Sequence, residues 1–202
     1  VATAWWTAPT YGYASGYSGC SEQPVSYEYG DDGIYVENGN VYVGDQAVAS
    51  EEEYYDQANE IAGDFPSDSE TGGDAAADEA EGDWLPLGVF AVVSEGQTKS
   101  EMTLQIALNK EGMVRGNLKI DLTDKVIQVF GNVDKETQRV ALKLEGKDDI
   151  VIEAGLYNLT EDVLTVMIHY GKDRQEERGL IRLTQDDESP EGQDSAPQST
   201  EN

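Results

Sequence analysis

The stretch "EMTLQIALNKEGMVRGNLKI", residues 101–120, decides how the chain folds. Met102, Leu104, Ile106 and Leu108 alternate with polar neighbours, and Val114, Leu118 and Ile120 do the same after "NKEG". A period of two marks a strand with one face on a core and one in water. Thr103, Gln105, Arg115 and Lys119 are therefore expected to face solvent. The turn-forming residues between the two runs read as a hairpin connection.

Working outward, the same pattern predicts eight strands, at about 87–94, 101–109, 113–121, 125–133, 138–145, 149–157, 163–170 and 178–184. Short polar connections join them: "LTDK", "VDKETQ", "EGKDD", "NLTED" and "GKDRQEER". Sequential strands, short turns and one apolar face predict a mainly β, antiparallel, up-and-down meander. Closing it as a small barrel would remove its exposed edges, with a β-sandwich as the alternative. Gly116, Gly131, Gly155 and Gly179 fall inside strands, where glycine lets a sheet bend.

Upstream, "IYVENGNVYV" predicts a two-residue hairpin turn at Asn38-Gly39, with Tyr35 opposite Tyr42 and Val36 opposite Val41. "SEEEYYDQANEIAG" predicts a helix over 51–62, with Ser50 as N-cap, Glu53 completing a capping box and Gly63 as the stop. Its apolar stripe is Tyr54, Ala58 and Ile61. A hairpin and three helical turns are each marginal alone, so this unit needs a surface to pack on.

The expected organisation is an aromatic low-complexity arm (1–33), the hairpin and helix (34–63), an acidic disordered linker (64–83), the barrel-like domain (84–185) and an acidic disordered tail (186–202). In the arm, Trp5, Trp6, Tyr11, Tyr13 and Tyr17 follow no regular period. Leaving such rings in water costs roughly 1.5–3 kcal/mol each, so they are candidate contacts with a protein partner or a second copy, or they dock on the chain itself.

Charge is unevenly distributed. Residues 1–83 hold 19 acidic groups and no Lys or Arg; residues 84–185 set 16 acids against all 13 bases; residues 186–202 add six acids. The net charge of −28 argues against binding nucleic acid or anionic lipid, which requires clustered cations. The acidic runs lack EF-hand spacing, and no metal site is expected. Cys20 is the only cysteine, which excludes an intrachain disulfide and leaves an unpaired thiol. No apolar run is long enough for a transmembrane helix. A chain beginning at Val1 fits a mature product whose export signal has been removed.

Candidate chemistry is sparse. In "VLTVMIHY", Leu164, Val166 and Ile168 form the inward set and Val163, Thr165, Met167 and His169 the outward set, so the single histidine is expected on the surface beside a turn. Asn158-Leu159-Thr160 matches an N-glycosylation acceptor and equally an ordinary turn. Asp148-Asp149 and Glu176-Glu177 fall in expected exposed turns, where nothing apolar would make a general acid of a carboxyl. No catalytic residue, cofactor or metal ligand is expected. Two function classes stand: a non-enzymatic interaction module, and a calycin-like binder of a small apolar ligand in the lumen.

"WLPLGVFAVV", "GNLKI", "GNVDKETQRVA", "EAGLYNLTEDV", "HYGKDR" and "IRL" resemble a C-terminal domain of secreted or cell-surface proteins of planctomycete bacteria, often labelled protocadherin-like. "YEYGDDGIYVENGNVYVGDQ" with "EEYYDQANEIA" resembles the tyrosine-rich segment preceding it, so the likeness covers roughly 25–185 and departs after Arg174 at "QEER". The resemblance implies an extracytoplasmic location and supplies no catalytic residue.

Overall fold

The computed structural model describes residues 7–30, 33–64, 84–94, 97 and 99–184. Trp5, Trp6, residues 65–83 of the expected linker and the expected tail at 186–202 lie outside the described residues. Eleven strands and two α-helices are described. A first helix, α1 (Tyr11–Ser18), precedes a three-stranded sheet of β1 (Ile34–Glu37), β2 (Asn40–Val43) and β3 (Gln46–Ser50), and then α2 (Glu51–Ala62). Eight strands follow: β4 (Trp84–Val93), β5 (Met102–Asn109), β6 (Met113–Ile120), β7 (Lys125–Val133), β8 (Arg139–Leu144), β9 (Lys147–Gly155), β10 (Val163–Tyr170) and β11 (Gln175–Arg182).

The eight strands form a closed antiparallel barrel in chain order, the seam running between β11 and β4 with Leu180 opposite Val92 and Arg182 opposite Phe90. The expected small barrel is formed, and the β-sandwich alternative is not. Alternation places Leu87, Phe90, Ile106, Leu108, Val140 and Leu156 inside, each at 0% exposure, and they fill the lumen. Tight curvature brings backbones close: a methyl on Gly116 would overlap the carbonyl of Gln105, and one on Gly131 that of Ala141. Arg182 reinforces the seam. Its Nη1 donates to Leu87 O at 2.7 Å, its Nη2 to Leu159 O at 2.8 Å and Glu161 O at 3.1 Å, and its guanidinium lies 4.6 Å from the Phe90 ring centroid.

Three strands start earlier than alternation indicates, the first being β4, which takes in Trp84 to Pro86. β9 takes in Lys147 to Asp149, and β11 takes in Gln175 to Glu177, so Glu176-Glu177 is strand and not turn. Glu176 shares its parity with inward Leu180, which puts it at the barrel mouth, where Arg174 and Arg178 both pair with it. Ion pairing takes the role of apolar alternation there, and the hydrophobic pattern gives no sign of it.

The aromatic arm is not uniformly irregular. Thr10 caps α1, its hydroxyl accepting from Tyr13 N at 3.3 Å, and Gly19 ends it in a left-handed conformation with φ 74°. Ala14, Ser15 and Ser18 form the buried side, and Ala14 joins the lumen cluster at one end of the barrel. Small residues make this contact, and Gly12 and Gly16 lower helix propensity, so neither periodicity nor propensity marks the helix. The α1 stopper is tied down by Gln138: Tyr11 Oη donates to its Oε1 at 2.8 Å, Val25 N to the same atom at 3.0 Å, and its Nε2 to Gln23 O at 2.8 Å.

The hairpin register is as expected, with Asn38 and Gly39 at φ 51° and 78° and the Tyr35 and Tyr42 rings stacked 5.2 Å apart. The additional strand β3 has a register shift against β2 between Val41 and Tyr42, which hides a two-residue period in "QAVAS". The capping box of α2 is formed, Glu53 N donating to Ser50 Oγ at 3.2 Å and Ser50 N to Glu53 Oε2 at 3.0 Å. The buried face is Tyr54, Tyr55, Ala58 and Ala62, with Ile61 only partly covered.

Replacing Leu164, 5% exposed in the lumen cluster, by Ala is expected to lower the unfolding free energy by about 2–5 kcal/mol. Gly131→Ala should destabilise the barrel as well, because the neighbouring strand must move to admit the methyl. Urea midpoints followed by far-UV circular dichroism would measure both, and an unchanged midpoint for either would contradict the packing described.

Candidate functional site

The outward faces of β8, β9 and β10 carry Arg139, Ala141, Val151, Glu153, Met167 and His169. Three of the six are apolar and all six are buried, because α2 and the small sheet cover them. Tyr55, Ala58 and Ala62 pack on Ala141 and Val151, while Tyr29, Ile34, Val41 and Tyr54 pack on Met167. This is the surface that the hairpin and helix require.

A polar cluster is sealed inside the contact. Glu153, at 0% exposure, accepts from Arg139 Nε at 2.9 Å and Nη2 at 2.7 Å through Oε1, and lies 2.6 Å from His169 Nε2 through Oε2. Arg139 Nη1 donates to Gln57 Oε1 on α2 at 2.9 Å, and its guanidinium lies 4.2 Å from the Tyr54 ring centroid. Burial is the largest influence and works against the charge of Arg139, but the charge and hydrogen bond of Glu153 together with the Tyr54 and Tyr29 phenols outweigh it and hold the guanidinium above the ordinary arginine value. Burial also pushes the Tyr54 and Tyr29 hydroxyls well above the usual tyrosine range, with the charge of Glu153 adding to it.

His169 is thus not a surface histidine: at 1% exposure it is covered by Tyr54 and Tyr55, whose ring centroids lie 6.1 and 5.8 Å from its own. It does lie on the outward face of β10, as alternation places it, but a second layer covers that face. An ionised carboxylate only accepts, so the neutral imidazole donates from Nε2, and its buried Nδ1 has no partner. A carboxylate-held imidazole is the arrangement of a general base, yet here it has no solvent access and Glu153 is already shared with Arg139. The signal available in the sequence was the continuous apolar character of "IVIEAG" and "VLTVMIHY", which marks strands covered on both sides and Glu153 as a lone buried acid.

Further contacts hold α2 at both ends. Lys172 Nζ reaches Glu52 Oε1 at 2.6 Å and Asp56 Oδ2 at 3.1 Å. At the other end, which has no basic residue of its own, Lys143 Nζ donates to Gly63 O at 2.7 Å and Asn132 Nδ2 to Ala62 O at 3.0 Å. The barrel therefore supplies one cation, Lys143, at the helix end where the dipole favours it. Beside this contact an open recess of about 420 Å³ is lined by Gln57, Glu60 and Ile61 of α2 and by Val133, Asp134, Thr137 and Arg139.

The other expected site residues are dispersed. Tyr11 donates to Ser21 O at 2.6 Å as well as to Gln138, Tyr17 is half-buried under Lys110, and Tyr13 is 60% exposed, so Tyr13 is the arm aromatic most available to a partner among the described residues. Asn158 does not sit in an open turn. It is buried in a 3-10 turn, with Oδ1 accepting from Tyr27 N at 2.9 Å and Nδ2 reaching Ser26 Oγ at 3.5 Å, so the folded chain does not present the amide for glycosylation. Cys20 is a free thiol, half-buried, with Ser18 Oγ 3.3 Å from its sulfur. Among the described residues no group of three or more His, Cys, Asp or Glu is placed to hold a metal ion, and no helix is long and apolar enough to cross a membrane. No protein-family model, curated protein or solved structure matches the chain.

Removing one partner of a buried ion pair strands the other, so Glu153→Leu is expected to cost about 3–5 kcal/mol, and adding Arg139→Met should recover much of that loss. Chemical denaturation of the single and double variants would show it; additive losses would contradict the pairing. Asp134 gives a pH signature. The Thr137 backbone N–H holds its carboxyl below the usual carboxylate range, so its contribution is present above the unfolded value of about 3.9 and is lost as pH falls through the lower folded value. The stability gap between the parent and Asp134→Ala should therefore shrink on acidification below about pH 4.

Proposed function

We propose that the chain is an exported, non-catalytic structural and interaction module that acts on a protein partner outside the cytoplasm. The observation carrying this reading is that the molecule's interior is committed to its own assembly. Aliphatic side chains fill the lumen, α1 covers one end, and the buried Arg139–Glu153–His169 cluster fastens α2 to the barrel. What remains for recognition is the outer surface, whose acidic excess favours a cationic partner and disfavours nucleic acid. The resemblance of residues 25–185 to planctomycete cell-surface proteins supports the extracytoplasmic setting.

The second reading, a binder of a small apolar ligand, has one observation in its favour. At the barrel end away from α1, Met102, Ile120, Ile150 and Tyr170 are only partly buried against the core. Against it, the Glu176–Arg178 pair, 2.6 Å apart, occupies that mouth.

Native mass spectrometry separates the two readings. The interaction module is expected to fly without a retained small molecule, whereas a stoichiometric apolar adduct released by organic solvent would reverse the ranking.

A further inference from the structure

We propose that His169 is an acid-sensitive latch, whose protonation loosens the docking of α2 on the barrel. The argument begins with the proton count of the sealed cluster. Glu153 Oε1 takes both Arg139 Nε and Nη2, so one guanidinium already neutralises the one carboxylate. The neutral imidazole completes the set by donating from Nε2 to Oε2 at 2.6 Å. A second proton on the ring would have to sit on Nδ1, which is buried without a partner. It would place an N–H with no acceptor and a second cation with no free counter-charge beneath Tyr54 and Tyr55.

The groups facing the ring offer no relief. On β9 there is Glu153; on β8, Arg139; on α2, the phenols of Tyr54 and Tyr55; from the segment preceding β1, Tyr29. On β11, Gln175 stands directly across the ladder from His169, and its Nε2 is itself buried without an acceptor. A flip of that amide would offer its oxygen to an Nδ1–H, but a neutral amide supplies no counter-charge for the second cation. The other carboxylates of the region, Asp56, Asp149 and Glu177, are exposed and belong to the solvated rim. Lys172, bound to Glu52 and Asp56, adds further positive charge at that rim.

When α2 lifts away, both imidazole nitrogens reach water and the extra charge is solvated. The undocked form therefore accepts a proton that the docked form cannot accommodate, and linkage requires docking to weaken as the pH falls through the range in which an imidazole charges. That loosening would be prevented in a variant that keeps the hydrogen bond to Glu153 but cannot titrate.

His169 is the chain's one histidine, so its ring resonances can be followed without assignment ambiguity. The test is hydrogen exchange of the full chain at pH 8 and pH 5, corrected for intrinsic rates, together with an NMR titration of that ring. Amides of residues 51–62 are expected to exchange faster at the lower pH, while those of β5 and β6 are unchanged. His169→Gln, which retains a donor for Glu153, should abolish that acceleration and keep the protection seen at pH 8. If the wild-type ring titrates without faster exchange in α2, or if His169→Gln accelerates equally, the latch is overturned. Should His169→Gln fail to fold, the wild-type comparison of ring titration with α2 exchange still decides the matter.

Discussion

Closure of the ladder between β11 and β4 is the contact on which the rest of the molecule depends. A meander of eight strands that stopped short of closing would carry two free edges and an apolar face open to water. Pairing Gly179–Arg182 with Phe90–Val93 removes both at once. Among the strand pairs of the barrel the seam joins the two most distant in sequence, so its stabilisation must come from side chains that local structure cannot provide. Arg182, at the end of β11, does this by binding the carbonyl of Leu87 on β4 and those of Leu159 and Glu161 in the connection between β9 and β10. Gly88 leaves the room: a methyl there would overlap Arg182 Nη1, and its φ of 150° is a conformation that other residues rarely adopt.

A closed barrel has an inside and an outside, and here one sector of the outside is apolar too. This creates a second, shallower core between β8–β10 and the α2 unit. The hairpin and helix are marginal alone and gain their stability from that sector, while the sector gains a cover. The polar cluster sits between these layers. A buried ion pair contributes little net stability compared with apolar packing, but it tolerates only one docked position, since any slip would strand a charge. The cluster therefore fixes where α2 lies more than how tightly it is held.

Alternation in residues 84–185 made the strands, the inward sets and the barrel legible, because a one-faced strand writes its burial directly into every second residue. The hairpin register and the capping box were legible for the same reason: each rests on contacts a few residues apart. What alternation could not show was a second layer. His169 occupies the outward position expected of it, and only the helix placed over it, more than a hundred residues earlier in the chain, makes it a buried group. The helix α1 was hidden because its contact with the lumen is made by Ala14, Ser15 and Ser18, residues too small to leave a hydrophobic period. The start of β11 was hidden because Glu176 and Arg178 satisfy one another at the mouth.

The same layering explains the electrostatic face of the molecule. All 13 bases lie between Lys99 and Arg182, and those with defined partners turn inward or along the chain: Arg139 to Glu153 and Gln57, Lys143 to a helix carbonyl, Lys172 to Glu52 and Asp56, Arg182 to three carbonyls. Two of these, Arg139 and Arg182, are more than nine-tenths buried. Arg182, buried against carbonyls, adds nothing to the surface charge, whereas Arg139 is cancelled by the equally buried Glu153 and Lys172 offsets the exposed Glu52 and Asp56. Close approach of a second copy or of a polyanion is opposed over most of the exterior, with the opposition weakening beyond about 8–10 Å at physiological salt. The acidic excess would therefore favour a partner that brings positive charge of its own.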